Sequence, residues 1–366
     1  MLSSRQAICI IVMFMFGSSV IMGVNTGVAQ DSWICVLLAP FMALPMVLIY
    51  ARIIKLFPEK DFFEIVEIVL GRIAGKIIVL LMSWYGLHLC ALVLRNFAEF
   101  IGTSYMLETP QLVTLITMIL VVVYMLYSGA VTLGKWCLVM LPILVFVVII
   151  TAILPAGKMD FTNLMPVLSH SAKRIAESTY QTFTFPYAET VLFLSLAGAV
   201  KKTVSPYKIY VYAIFIGTAI LLLVVLRNIL LMGPAVLGVE AFPSYVAVRI
   251  ISIGDFIARV EGSIAMNLIL AGIVKISVCL YAATKGTARL FGIANYRKIL
   301  FPMSLSAVAL SIIIYKSVMD MFAFVHIYTF YVIPFQIIIP LLIWIAAEIK
   351  VRREKPLKTA VPLTEE

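Results

Sequence analysis

The stretch Thr184-Phe185-Pro186-Tyr187-Ala188-Glu189-Thr190 decides the fold. It lies inside an apolar run from about residue 178 to 200, long enough to cross a bilayer. Pro186 has no N–H and its ring clashes with the carbonyl four residues back, so the spacing predicts a helix that breaks there. In hydrocarbon, a freed backbone group is tolerated only where it is buried in protein or lines a cavity. Glu189, a carboxylate one turn away, is itself expensive at membrane depth. Two costly features at one depth mark this stretch as a functional site. The bland alternative is a proline kink with a glutamate bonded elsewhere.

Outward from this stretch the whole chain has the same character. Hydrophobic residues make up 63%, charged residues 13%, and mean hydropathy is +1.10, which excludes an ordinary soluble domain. The chain reads as an all-α polytopic membrane protein, a single transmembrane domain over 1–366. Ten transmembrane helices are predicted, at about 5–26, 32–56, 76–104, 111–128, 132–154, 178–200, 208–233, 259–284, 299–316 and 328–349. Arg5, an apolar run and Gly27-Val28-Ala29 imitate a signal peptide. The first span nevertheless counts as part of the fold, because it has a counterpart later in the chain.

Lys and Arg alternate in number between the two sides. Of the 28, three lie inside spans (Arg95, Arg227, Lys275) and six on one side (Lys158, Lys173, Arg174, Arg249, Arg259, Lys316). The remaining 19 share the side of both termini, which places the termini and the tail 350–366 in the cytoplasm.

Ten spans divide into two fives, about 5–154 and 178–349. An odd number per half inverts the second relative to the first, the arrangement of secondary transporters whose paired broken helices form a midplane site. Span one carries Gly17, Ser18 and Ser19, with Gly23 and Gly27 further on, where span six carries its proline. Glycine and serine weaken a helix, so a break is expected at 17–19. The connections after spans two and seven are both long and amphipathic, with Phe62, Phe63, Ile65, Val66, Ile68 and Val69 in one. Phe242, Tyr245, Val246, Val248, Ile250 and Ile251 mark the other.

These features define the candidate site. A break at Gly17, Ser18 and Ser19 would present the positive N-terminal end of a half-helix, suited to a carboxylate. Phe185, Pro186 and Tyr187 would supply carbonyls and two rings for an ammonium or an apolar side chain. An α-amino acid fits the pair; helix packing through small residues is the alternative. Arg95 and Glu99 share a face of span three, with Arg227 at similar depth, as a gating pair or as a structural rim network. Lys275, on span eight at about the depth of Glu189, reads as a proton switch, a fixed cation or a structural charge. No metal, nucleotide or nucleophile motif is present, so neither a cofactor nor catalysis is expected. The five cysteines read as small core hydrophobes.

The chain resembles a known family in Phe185-Pro186-Tyr187-Ala188-Glu189-Thr190, Leu94-Arg95-Asn96-Phe97-Ala98-Glu99-Phe100, Val274-Lys275-Ile276-Ser277 and Gln30-Asp31-Ser32-Trp33. These are similar to the B subunit of spore germinant receptors, the endospore germination permease family. The resemblance implies a LeuT-like 5+5 inverted repeat with broken helices 1 and 6, in the amino acid–polyamine–organocation superfamily. It implies residence in the inner membrane of the spore with A and C subunits as partners, and binding of a small nutrient, often an amino acid, that starts germination. Carried over by motif, the ligand site involves 17–19 and 185–187. The alternative is a proton-coupled amino-acid transporter using Lys275 and Glu189. Ala188 stands where many members have glycine, and span one lacks the Gly-Ala-Gly run of better-known members.

Overall fold

The computed structural model describes residues 1–23, 26–249 and 260–354. Ile250, Ile251, Arg259, Lys355 and Lys358, which enter the loop and charge readings above, lie outside the described residues. The first half holds α1 (Ser4–Met22), α2 (Ser32–Leu56), the short α3 (Phe62–Leu70), α4 (Arg72–Ser104), α5 (Gln111–Ser128) and α6 (Ala130–Ile153). The second half starts with α7 (Ala172–Thr182), which passes through a wide turn at Phe183–Tyr187 into a 3₁₀ half-helix, Ala188–Ala199. Then follow α8 (Pro206–Leu237), the short α9 (Pro243–Arg249), α10 (Val260–Leu290), α11 (Arg297–Ile314), α12 (Val318–Tyr331) and α13 (Ile339–Glu354).

Among the described residues, nine helical stretches are long and apolar enough to cross a membrane. The tenth span is the interrupted one, whose pieces of 11, 5 and 12 residues are each too short to cross alone. At its interruption Phe185 is extended (φ −138°, ψ 109°), directly before the proline. A residue preceding proline is driven out of the helical region by the ring's Cδ, so the local sequence produces the break.

The first span departs from expectation. α1 runs without interruption through Gly17, Ser18 and Ser19 and stops at Gly23, whose φ of 74° is open to glycine at no steric penalty. A short 3₁₀ turn, Thr26–Asp31, then leads into α2. Gly and Ser each weaken a helix by only about 1 kcal/mol or less, and here packing overrides them. The Ser19 hydroxyl donates to the Met15 carbonyl (2.5 Å) and so is satisfied within the helix. The last span also differs: it begins at Val318, where Ser317 caps the helix by accepting from the Asp320 N–H (3.2 Å), ten residues before the expected start.

Burial decides which helices are central. In the most apolar 18-residue stretch of α1 89% of the residues are buried, against 22% in that of α6, which turns apolar side chains such as Phe146 outward. In a membrane the most apolar helix can face lipid, as α6 does, whereas α1 carries the fully buried Ser18 and Ser19 and lies inside. α10 packs on α4 and on α1, and α2 packs on α8. Each of the pairs α4–α10 and α2–α8 joins span n of one half to its counterpart in the other, the contact expected of two halves related by a two-fold axis. The short helices α3 and α9 occupy equivalent places, each burying one face: Phe62, Phe63, Ile65 and Val66 in α3, Tyr245 and Val248 in α9. A capping box starts α3, where Asp61 accepts from the Phe63 and Glu64 N–H groups (2.9 and 3.0 Å) and Glu64 reaches back to the Asp61 N–H (3.1 Å).

Leu2 and Val200 pair through their backbones, which puts the start of α1 and the end of the broken span on one face of the bundle. The opposite face carries the end of α1 and the loop that joins the halves. There Asp31, fully buried, accepts from the Leu168 N–H (2.9 Å), the Ser169 hydroxyl (3.0 Å) and the His170 N–H (3.2 Å), with His170 Nδ1 at 2.9 Å. Asp31, immediately before α2, thus ties the start of the second span to the connection between the two halves.

Candidate functional site

The wide turn at Phe183–Tyr187 brings Glu189 into the first turn of the following half-helix, pointing into the bundle and fully buried. Lys275, from the middle of α10, is equally buried, and its Nζ lies 2.5 Å from Glu189 Oε2. The other carboxylate oxygen accepts from the hydroxyl of Tyr328 on α12. The ammonium also sits 4.6 Å from the ring centroid of Phe185 and 5.2 Å from that of Phe14. A buried ion pair survives only when it is further supported, and Tyr328, Phe185 and Phe14 supply that support.

The polar chain continues beyond Tyr328. Its hydroxyl lies 3.4 Å from that of Tyr85 on α4, which accepts from Gln336 Nε2 at 2.9 Å. The same Nε2 donates to the Thr184 carbonyl (3.0 Å), one of the groups freed by the break. Gln336 lies in a wide turn, Pro334–Ile338, that interrupts the last span. Two interrupted spans therefore hold each other through one side-chain amide.

In front of Glu189 lies a cavity of about 590 Å³, within the range of small-molecule sites. It is lined by Ser18, Met22 and Gly23 of the first span, Leu89, Val93 and Asn96 of α4, Thr184, Phe185 and Glu189, the loop at 238–241, and α12 residues including Phe324 and Tyr328. All the α4 positions fall in its second half, so the cavity belongs to the face opposite the termini. Ser18 Oγ is fully buried and has no hydrogen-bond partner among the described residues. A larger hollow of about 760 Å³ lies on the terminus face and is lined by ion pairs, Lys285–Asp61 (2.9 Å) and Arg289–Glu67 (2.6 Å). None of the candidate site residues read from the sequence lines it, so the smaller cavity is the better candidate.

Of the residues predicted for the ligand, Ser18 and Phe185 line the cavity, with Glu189 at its wall. Gly17, Ser19, Pro186 and Tyr187 do not. Tyr187 is turned to α8, its hydroxyl 2.9 Å from Thr218 Oγ1. Gly17 is a crossing point, where an added Cβ would come within 2.9 Å of Lys275 Cβ. Because α1 does not break at 17–19, no half-helix N-terminus stands there for a carboxylate. The end that α1 offers the cavity is its C-terminus.

Arg95 and Glu99 do pair (2.8 Å), and Arg95 also donates to the Ser311 and Ile312 carbonyls (both 3.3 Å) near the end of α11. Arg227 donates to Thr151 Oγ1 (2.8 Å) and to Asn228 Oδ1 (2.8 and 3.1 Å). Neither arginine lines the cavity, and these bonds tie helices together. Sequence reasoning missed Tyr328, Tyr85 and Gln336. Gln336, beside Pro334 in an apolar run, was the available signal.

The profile of the spore permease family, described as spore germination protein, matches residues 1–321. The chain belongs to the spore germination permease family. It is 26% identical over 362 residues to spore germination protein KB of Bacillus subtilis (strain 168), covering 98% of this chain and 97% of that one. In fold it is similar to MhsT, solved in complex with L-phenylalanine (TM-score 0.69, 13% identity, 89% of this chain and 86% of that one). It is likewise similar to MHP1, a nucleobase-cation-symport-1 family transporter solved closed with bromovinylhydantoin bound (TM-score 0.66, 10% identity, 90% and 75% covered). These likenesses establish the LeuT-like fold, and with the apolar spans they make this family member a multi-pass membrane protein.

Proposed function

We propose that this chain is the membrane-embedded B subunit of a nutrient germinant receptor. A small nutrient, with amino acids the leading class, occupies the cavity, and occupancy is passed to A and C subunits to start spore germination. The termini face the cytoplasm and the membrane is the inner membrane of the spore. The observation that carries this reading is the position of the buried Glu189–Lys275 pair immediately behind the cavity, in a chain of this family.

The same geometry gives occupancy a route outward. Two wall residues hold the pair in place: Phe185 lies against the ammonium and Tyr328 bonds the carboxylate. A ligand that shifts either ring changes how well the pair is held, and Lys275 is carried by α10, which packs on both α1 and α4. A ligand can shift a conformational equilibrium only by its differential affinity for the two states, and this coupling supplies such a difference.

The second reading is a proton-coupled amino-acid transporter. It is favoured by a buried Lys–Glu pair whose carboxylate stands in the broken span and by the likeness in fold to transporters. Uptake of a radiolabelled amino-acid panel by the purified chain in liposomes, with binding measured on the same samples, separates the two. Binding without gradient-driven accumulation is expected of the receptor; accumulation would make it a transporter.

A further inference from the structure

We propose that the cavity recognises its ligand through an ammonium group and that a ligand carboxylate is not required. This deepens the reading of the cavity as a small-nutrient site and rests on it. The sign of the site follows from what faces the cavity. α1 ends at Met22 and Gly23 on the wall. A helix C-terminus presents carbonyls without intrahelical partners and the negative end of the macrodipole. The opposing positive end, where the half-helix Ala188–Ala199 begins, already has the carboxylate of Glu189 in its first turn.

Side chains give the same sign. Glu240 stands on the wall and is in no ion pair among the described residues. No Lys or Arg lines the cavity among the described residues; the one basic group there is the imidazole of His326, on an exposed turn of α12. The Lys275 ammonium is behind the wall and committed to Glu189. Tyr315, Phe324 and Tyr328 form an aromatic wall with successive ring centroids 5.8 and 6.3 Å apart, a surface whose faces attract cations. Ser18 Oγ, fully buried and without a partner among the described residues, is a hydrogen-bonding position on the opposite wall. The C-terminal end of α1, an unpaired carboxylate and aromatic faces suit a small organic ammonium ion with an apolar body.

The test compares three forms of one side chain on the purified chain in lipid nanodiscs: L-phenylalanine, phenethylamine and 3-phenylpropanoate, and in parallel L-leucine, isoamylamine and 4-methylpentanoate. Binding is read by thermal protection and by calorimetry. In the series that binds, the amine is expected to protect about as well as the amino acid, and the acid to be at least about tenfold weaker. Glu240→Gln is expected to weaken the amine by about three- to tenfold and to strengthen rather than weaken the acid, effects that shrink in high salt. An acid that binds as well as its amine overturns the proposal, as does an amino acid that binds while its amine does not. Failure of both amino acids and both amines sinks the reading of the cavity as an amino-acid site, and this proposal with it.

Discussion

Gly17 and Lys275 touch: a Cβ at position 17 would lie 2.9 Å from Lys275 Cβ and 3.0 Å from its Cδ. The missing side chain on α1 is what lets the stem of Lys275 pass and deliver its ammonium to Glu189. The glycine therefore acts through packing, where the sequence pointed to unwinding.

Gly17→Val should push α10 away from α1 and destabilise the protein by about 1–3 kcal/mol, the range for overpacking a core. A lower melting temperature in detergent, with weaker nutrient binding, is expected. Unchanged stability would mean that the crossing is looser than the contact implies.

Glu189→Gln should strand the Lys275 ammonium without a counter-charge. Breaking a buried pair by removing one partner costs about 3–5 kcal/mol. Adding Lys275→Met should recover part of that loss, because the stranded charge is gone, while the nutrient response stays impaired. A double variant no more stable than Glu189→Gln in thermal melts would refute the pairing.

Tyr328→Phe keeps the ring on the cavity wall and removes its bond to Glu189. Hydrogen bonds to charged groups are worth about 1.5–3 kcal/mol, so the variant should lose stability in that range and respond weakly to nutrient. A full germination response at wild-type sensitivity would remove Tyr328 from the coupling route.

Asp31→Asn should release the connection between the halves. The carboxylate accepts from three donors at 168–170 and has His170 Nδ1 beside it; an amide oxygen and NH₂ group cannot satisfy all four. Faster amide exchange across 160–171 is expected, with the transmembrane helices unaffected. Protection equal to wild type would show that other contacts hold this loop.

The membrane class, the broken sixth span and the Glu189–Lys275 depth match were legible because each is an anomaly against an apolar background. A proline, a carboxylate and an ammonium in hydrocarbon all announce themselves. The place of the first interruption was not legible: Gly17 and Gly23 are the same residue type, and only packing against Lys275 decides that one stays helical while the other takes a positive φ. Tyr328 and Tyr85 escaped because a tyrosine in an apolar span is no anomaly in a chain with 16 of them. Which end of the first helix faces the cavity was not legible for a related reason. A broken helix offers two ends of opposite polarity, and the residue that stops it determines which of them reaches the ligand.

The most direct measurement of the central claim is saturable binding of radiolabelled amino acids to the purified chain in nanodiscs. It should be made on wild type, on Ser18→Leu, which extends an apolar group into the cavity, and on the outward-facing Phe146→Leu of α6. The account predicts binding in wild type and in Phe146→Leu, and loss in Ser18→Leu at undiminished membrane yield. Binding that survives Ser18→Leu unchanged, or none in wild type to any amino acid, would contradict it.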